Sequence, residues 1–480
     1  MFRSILFVIA TGTMLLTHAL VRAQKVQKKP NVIYILADDM GYGDIQALNK
    51  KSQVQTPNLD RLASASVVFT DAHSGSAVCT PTRYGIMTGR YAFRSQLKKG
   101  VLNGYSPALI ENSRFTVANL LKNAGYQTAI VGKWHLGLNW NTGEFNATAT
   151  VTSGPNTLGF DYSYIVPASL DMPPYGFIED GKLTDTSIVN TAGSSQPRGV
   201  FWRGGQMTST FKIENTLDAL VDKSKEIIKN ARSANKPFFL YLPLTSPHTP
   251  WLPVEKFQRK SGAGTYGDFV ANTDAAVGEI LHLLDSLQLQ ENTMVIFTSD
   301  NGADWKPADK ESFPLHEANY IFKGQKSDIW EGGHHIPFMV RWPNGIRKAR
   351  TASQTICLTD LMSTLAAITG QQLPADAGPD SFNFLPVLQG SNADVRKDVI
   401  HHSIDGMFAI RKGDWKFVDG RGSGGWSDKT GKPGDPDGQL YNLKTDPTEQ
   451  KNVYNHFPAV VKELKELLQT QQAATYTRSL

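Results

Sequence analysis

Four apolar runs of strand length, separated by stretches of helical spacing, constrain this chain more than any other feature. Val32-Ile-Tyr-Ile-Leu-Ala37, Gln127 to Val131, Pro237-Phe-Phe-Leu-Tyr-Leu-Pro243 and Thr293-Met-Val-Ile-Phe-Thr298 are near-continuous rather than alternating, as strands buried on both faces are. Between them, Val117, Leu120 and Leu121 before Gly125, the segment Thr216 to Ala231, and Val270, Val277, Ile280 and Leu284 fall at helical spacing. This alternation predicts an α/β fold: a large mixed, mostly parallel sheet sandwiched by helices. At 480 residues and 40% hydrophobic, the chain has enough apolar material for such a core.

Open α/β sheets bind ligands at the edge where the carboxyl ends of the strands meet. Here each run stops at residues with chemical capacity. The first ends in Asp38-Asp39, the second leads into Lys133 and His135, the third into His248, and the fourth into Asp300-Asn301. Adjacent carboxylates repel, so Asp38-Asp39 calls either for a divalent cation held by oxygen ligands or for one acid capping the next turn while the other is solvated. Asp300 and Asn301 are hard-cation donors of the same kind. Lys133 and His135, two apart, are expected on one extended segment pointing the same way; taken alone they also read as a surface lysine and a satisfied loop histidine. Prolines on either side keep His248 in a stiff, non-helical loop. Their coincidence on one edge predicts a shared anion and metal site.

Cys79-Thr-Pro-Thr-Arg83 adds a helix start to that edge. Pro81 fits the first helical position, which places Cys79 just before a helix start, among free backbone donors. By spacing alone, such a cysteine is an activated thiolate or a small buried residue. Cys357 reads as a buried residue at the apolar entry to a helix, and no disulfide with Cys79 is expected.

Residues 1–23 combine Arg3, an interrupted apolar run and Val21-Arg22-Ala23, and read as a cleaved export signal. The mature protein is then periplasmic or extracellular, and with no later stretch able to span a bilayer it needs no membrane. Residues 24–373 are expected to form the catalytic domain. Residues 374–480 form a C-terminal subdomain, a small antiparallel sheet with one helix from Ala459 to Gln472. The stretch from Asn139 to Met207, rich in Gly, Pro, Ser and Thr, is expected as an insertion over the sheet that acts as lid or substrate surface, with Asp171 and Arg203 as contacts. A net charge of +5, with no basic run beyond Lys25 to Lys29, argues against nucleic acid as a partner.

Cys79-Thr-Pro-Thr-Arg83 with Gly85 and Thr88-Gly89-Arg90, Gly132-Lys-Trp-His-Leu-Gly137, and the pairs Asp38-Asp39 and Asp300-Asn301 resemble the motifs of the type I, formylglycine-dependent sulfatases. These are arylsulfatase-like members of the alkaline phosphatase superfamily, and the resemblance spans the mature chain. It implies that a maturation enzyme oxidises Cys79 to formylglycine, whose hydrated aldehyde is the nucleophile. It implies Ca²⁺, in preference to Mg²⁺, held by Asp38, Asp39, Asp300, Asn301 and the modified Cys79. It also implies that Arg83, Lys133, His135, His248 and Lys326 surround the sulfate. In this family a lysine precedes an aromatic-Glu-Gly-Gly run; Lys323 and Lys326 both precede Trp330-Glu-Gly-Gly333, and the spacing selects Lys326. Two departures stand out: Ser327 follows that lysine where glycine is common, and His334-His335 stands where arginine is frequent.

The implied activity is sulfate ester hydrolysis. Lys133, Lys326 and the cation meet the negative charge that builds up, His248 with Lys326 protonates the departing alcohol, and His135 takes the proton released as the aldehyde re-forms. The expected substrate is a sulfated carbohydrate, with an aryl sulfate as an artificial one. Asp171, Arg203 and His316, with His401, His402 and Trp426, are the candidates for reading its organic part. Two alternatives are a phosphodiester or phosphonate monoester hydrolase of the same superfamily, and a catalytically silent sulfated-glycan binder if Cys79 remains a thiol.

Overall fold

The structure, a computed structural model, describes residues 29–478. The export signal read in residues 1–23 lies outside the described residues. Asn31–Asp38 occupies the middle of a ten-stranded sheet, parallel to Phe238–Pro247 on one side and Thr293–Ser299 on the other. Gln127–Lys133 and then Tyr162–Val166 extend the parallel block beyond Phe238–Pro247. On the opposite flank Phe338–Arg341 and Val67–Phe69 add antiparallel, and Arg350–Ala352 closes that rim in parallel.

The central strand shows why these runs are apolar throughout. Val32, Tyr34 and Leu36 face a core shared with Tyr84, Leu120 and Leu365 from helices on one side. Ile33, Ile35 and Ala37 face a second core with Leu59, Leu220 and Ile280 from helices on the other. Strand side chains alternate between faces, so a strand covered on both faces needs apolar residues at every position. Each fully buried Ile or Leu contributes roughly 1.5 to 3 kcal/mol relative to exposure. The helices therefore clamp the sheet from both sides and leave its carboxyl edge open for chemistry.

The stretch from Asn139 to Met207 is not simply an insertion over the sheet. Tyr162–Val166 is a parallel strand of the sheet, and the hairpin of Ile178–Glu179 and Lys182–Leu183 forms its far edge. Two ribbons lie apart from the sheet, Asn139–Trp140 with Val151–Ser153 and Ile188–Thr191 with Gly205–Thr208. Tyr162 and Tyr164 are only half-buried, because a strand near a sheet edge is partly exposed, and this weakened the apolar signal.

Near the C-terminus, Asp398–His402, Phe408–Lys412, Trp415–Val418 and Gln439–Asn442 form an antiparallel sheet, as expected, and Pro458–Ala473 packs on it. Val461, Leu464 and Leu468 of that helix meet Val399, Ile410, Phe417 and Leu440. Tyr91, Phe93 and Cys357, from earlier in the chain, complete this core. Cys357 and Cys79 are both buried and free, and Cys357 lies on a short strand just ahead of the helix it was expected to enter.

A polar seam joins the two sheets as well. Lys416 lies 3.0 Å from Glu331 and 2.8 Å from Glu449. Its ammonium is 3.1 Å from His334, whose other ring nitrogen lies 3.1 Å from His73. His73 in turn meets Asp71 at 2.8 Å, and Arg411 closes on the same carboxylate at 2.5 Å. The His334-His335 departure thus serves this seam: His335 bonds Glu331 and the Thr70 carbonyl. Among the described residues, no helix is long and apolar enough to cross a membrane.

Candidate active site

The carboxyl edge of the sheet brings Asp38, Asp39, Cys79, Arg83, Lys133, His248, Asp300, Asn301 and Lys326 into one buried cluster. Asp39 leaves its strand with φ 65°, a conformation an L-residue holds only when its surroundings impose it, and its N–H donates to Asp300 at 3.2 Å. Gly132, with φ 140°, lets the neighbouring strand end come equally close: a Cβ there would stand 1.9 Å from the Pro243 carbonyl oxygen. Lys133 follows directly.

Arg83 binds Asp300 through Nε at 3.0 Å and Nη2 at 2.7 Å, touches Asp38 at 3.2 Å, and donates to the Lys133 carbonyl at 3.1 Å. Lys133 Nζ sits 2.9 and 2.8 Å from the two Asp38 oxygens. Lys326 Nζ lies 2.7 Å from Asp39, whose other oxygen accepts from Asn301 Nδ2 at 2.8 Å. Burial pushes the Asp38 carboxyl up, but Lys133, His248 and Arg83 outweigh it and hold the group well below the usual carboxylate range. Asp300 goes the other way. Burial, with Asp38 and Asp39 beside it, raises it to about 6 despite Arg83. Lys326 is driven up against the effect of burial, chiefly by Asp39.

The donor set suits a hard divalent cation. Three buried carboxylates converge, and Asn301 Oδ1 is buried without a hydrogen-bond partner. Ligand atoms of Asp38, Asp39 and His248 lie within 4.8 Å of one another.

Cys79 is the first residue of the helix Cys79–Thr88, behind an extended Val78, and is buried. Burial pushes its thiol up, and the pull of Lys133 and Lys326 does not reverse this. An unmodified Cys79 is therefore a protonated thiol rather than an activated thiolate.

The histidines are oriented by backbone carbonyls. His135 donates from Nε2 to the Leu102 carbonyl at 2.7 Å, which leaves Nδ1 as a buried lone pair with no partner. Burial, and then Lys133, hold the ring well below the usual histidine range, so it is neutral. His135 is not on the extended segment expected from its spacing to Lys133: its φ is 55°, because the chain turns as the strand ends. His248 donates from Nδ1 to the Thr249 carbonyl at 2.6 Å and presents Nε2 to Asp39 at 3.6 Å. Leu102 and Thr249 act through backbone oxygens, which carry no residue-type signal, so sequence reasoning missed them.

The two candidate lysines separate cleanly. Lys326 points into the cluster, whereas Lys323 lies over the Trp330 ring at 3.9 Å and donates to the Glu449 carbonyl. Ser327, standing where glycine is common, adopts φ 83° and is fully buried.

The substrate candidates divide. Arg203 is half-exposed and pairs with Asp171 at 2.6 Å. His316 is wholly buried, with its nitrogens engaged by Asp44 at 3.0 Å and the Gln53 N–H at 3.3 Å. It braces the loop after the first strand and offers nothing to a ligand. His401 and His402 are also buried, whereas Trp426 is 50% exposed. Sequence shows a polar side chain but not which way the segment that carries it packs.

This sheet, with the Cys79 helix and a buried cluster of acids and bases at its carboxyl edge, defines a hydrolase of the alkaline phosphatase superfamily. Residues 30–371 match the family model Sulfatase, and residues 324–474 match N-sulphoglucosamine sulphohydrolase, C-terminal. An N-acetylgalactosamine-6-O-sulfatase of Bacteroides thetaiotaomicron is 36% identical, covering 93% of this chain and 95% of its own. Human arylsulfatase A is 31% identical over 94% and 89%. A solved structure concerned with metabolism of multiple glycosaminoglycans by B. thetaiotaomicron has a TM-score of 0.84 at 35% identity, covering 93% of this chain and 100% of that one. The chain belongs to the sulfatase family and is a sulfuric ester hydrolase.

Proposed function

We propose that this sulfatase desulfates a sulfated carbohydrate, using formylglycine made from Cys79 and Ca²⁺, rather than Mg²⁺, held by Asp38, Asp39, Asp300, Asn301 and the modified Cys79. The observation that carries this is the place of Cys79: the first residue of its helix, buried within the field of Lys133, Lys326, Asp300 and Asp38. The aldehyde hydrate supplies two hydroxyls on one carbon, one to attack sulfur and one to release it, and the cation supplies charge against the sulfate oxygens.

The remaining work falls to the chain's own side chains. Arg83, gripping Asp300, holds position 79 and the acid cluster in register. Lys133 and Lys326 offer ammonium charge where the sulfuryl oxygens gain electron density. His135 accepts a proton at its free Nδ1, since Nε2 is committed to the Leu102 carbonyl. His248, whose Nδ1–H is committed to the Thr249 carbonyl, acts as the imidazolium and, assisted by Lys326, gives its Nε2 proton to the departing alcohol. Asp171 and Arg203 form a polar pair available to the sugar.

The relatives' names make 6-O-sulfated N-acetylgalactosamine the first sugar to test. Export to the periplasm or beyond, contact with a formylglycine-installing enzyme, and division into residues 24–373 and 374–480 belong to the same proposal. The test is the mass of the peptide holding position 79 after expression in a host that installs formylglycine. Conversion removes one sulfur and two hydrogens and adds one oxygen. An active preparation whose peptide retains the intact thiol overturns the proposal.

A further inference from the structure

We propose that Trp426 is the platform on which the sugar ring of the substrate rests, held at the mouth of the sulfate pocket by the segment that supplies Lys326. The proposal builds on the carbohydrate reading above and adds the residue that would recognise the ring.

The position of this side chain is imposed. Trp426 donates its backbone N–H to Ser327 Oγ at 2.9 Å. Ser427 then donates from its N–H and hydroxyl to the two oxygens of Asp328, at 3.2 and 2.5 Å. On the other side Gly425 lies so close that a Cβ would stand 2.5 Å from the Ser327 carbonyl oxygen. A glycine-rich loop of the C-terminal part is thus pinned, residue against residue, to Ser327 and Asp328. Yet the indole is 50% exposed, so this anchoring does not serve to bury it.

Ser327 explains how the chain maintains this arrangement. With φ 83° it occupies a backbone region that glycine enters freely and other residues enter at a penalty. Glycine would relax the turn but would remove the hydroxyl that receives the Trp426 N–H. Backbone strain directly after a pocket lysine is therefore exchanged for a fixed indole.

The ring stands where a sugar must pass. Lys326 Nζ lies over it, 5.8 Å from the ring centroid, while bonding Asp39 at 2.7 Å. A sulfate ester bound at Lys326 carries its alcohol carbon next to that indole. The electron-rich face of an indole favours the polarised C–H face of a pyranose as it favours cations, and stacking adds to simple area burial. The ligand class is a sulfated hexose or hexosamine presenting an apolar ring face.

The experiment compares the formylglycine-bearing parent with Trp426→Ala, Trp426→Phe and Ser327→Gly. The probes are a panel of monosaccharide sulfates headed by 6-O-sulfated N-acetylgalactosamine, with inorganic sulfate as a competitive inhibitor that fills only the anion pocket. Trp426→Ala should raise KM for the preferred sugar sulfate about tenfold, with the loss on KM rather than kcat. Trp426→Phe should recover most of it, and Ser327→Gly should shift KM in the same direction by less. The inhibition constant of inorganic sulfate should hold throughout. An unchanged sugar KM in Trp426→Ala overturns the platform alone, and so does a sulfate inhibition constant that rises in step with KM, since that marks a damaged anion pocket. A parent that hydrolyses aryl sulfates but no sugar sulfate overturns the carbohydrate reading and the platform together.

Discussion

Arg83 holds Asp300 with two of its nitrogens on one carboxylate oxygen, 3.0 and 2.7 Å away, with neither side chain exposed. This pair ties the Cys79 helix to the end of the fourth apolar strand and aligns position 79 with the acid cluster. Removing one member of a buried pair strands the other, so charge-conserving or isosteric changes probe the site better than truncation.

Asp300→Asn keeps the shape of the side chain but withdraws one anionic oxygen from the proposed cation site, which has few. Bound Ca²⁺, measured by elemental analysis after dialysis, should fall well below that of the parent, and turnover should fall with it by about a hundredfold or more. Undiminished metal content with full activity would remove Asp300 from the cation site.

His248→Ala should discriminate between leaving groups. A sugar alkoxide needs a proton as it departs and nitrophenolate scarcely does, so the variant should lose about a hundredfold or more on the sugar sulfate and far less on nitrophenyl sulfate. Equal losses on both substrates would take His248 out of the acid role.

Cys79→Ser, made in a host that leaves serine unconverted, has one hydroxyl where the mechanism needs two. It should accept a sulfuryl group slowly and then stall, because no neighbouring hydroxyl expels it. Mass analysis should find added SO₃ on the peptide containing position 79, without steady turnover. Repeated turnover near the parental rate would mean that water attacks sulfur directly.

The seam between the two sheets should be acid-labile. Burial pushes the Asp71 carboxyl up, but His73 and Arg411 more than offset it, so the group sits below its ordinary value of 3.8. A carboxyl with a depressed folded pKa stabilises the fold above the ordinary value and ceases to do so as the pH falls through the folded one. Asp71→Asn should therefore cost about 3 kcal/mol at neutral pH, by stranding Arg411, and less as the solution is acidified. Urea unfolding at a series of pH values measures this. A difference that stays constant down to strong acid would show that Asp71 carries no such charge.

Much of the site was legible because its residues follow runs that could only be buried strands. Val32 to Ala37 and Thr293 to Thr298 announce parallel neighbours by being apolar at every position, and the residues after them then share an edge. Burial and direction were less legible. His316, His401 and His402 look like loop histidines, yet each is buried against a partner distant in sequence, Asp44, Ser74 or Ser76. Tyr162–Val166 was hidden because a strand near a sheet edge mixes polar and apolar residues.

The sequence by itself determined the layered α/β architecture and pointed to two unpaired cysteines, because periodicity is a local property of the chain; the choice of Lys326 over Lys323 came from the family resemblance. Only the tertiary structure decided the free nitrogen of His135, the inward turn of His316, the sharing of Tyr91 and Phe93 with the C-terminal core, and the pinning of Trp426 to Ser327. Each of these depends on which backbone carbonyl, hydroxyl or ring a distant segment brings within reach. Such partners have no signature in residue type; they are set by how the sheets and loops pack.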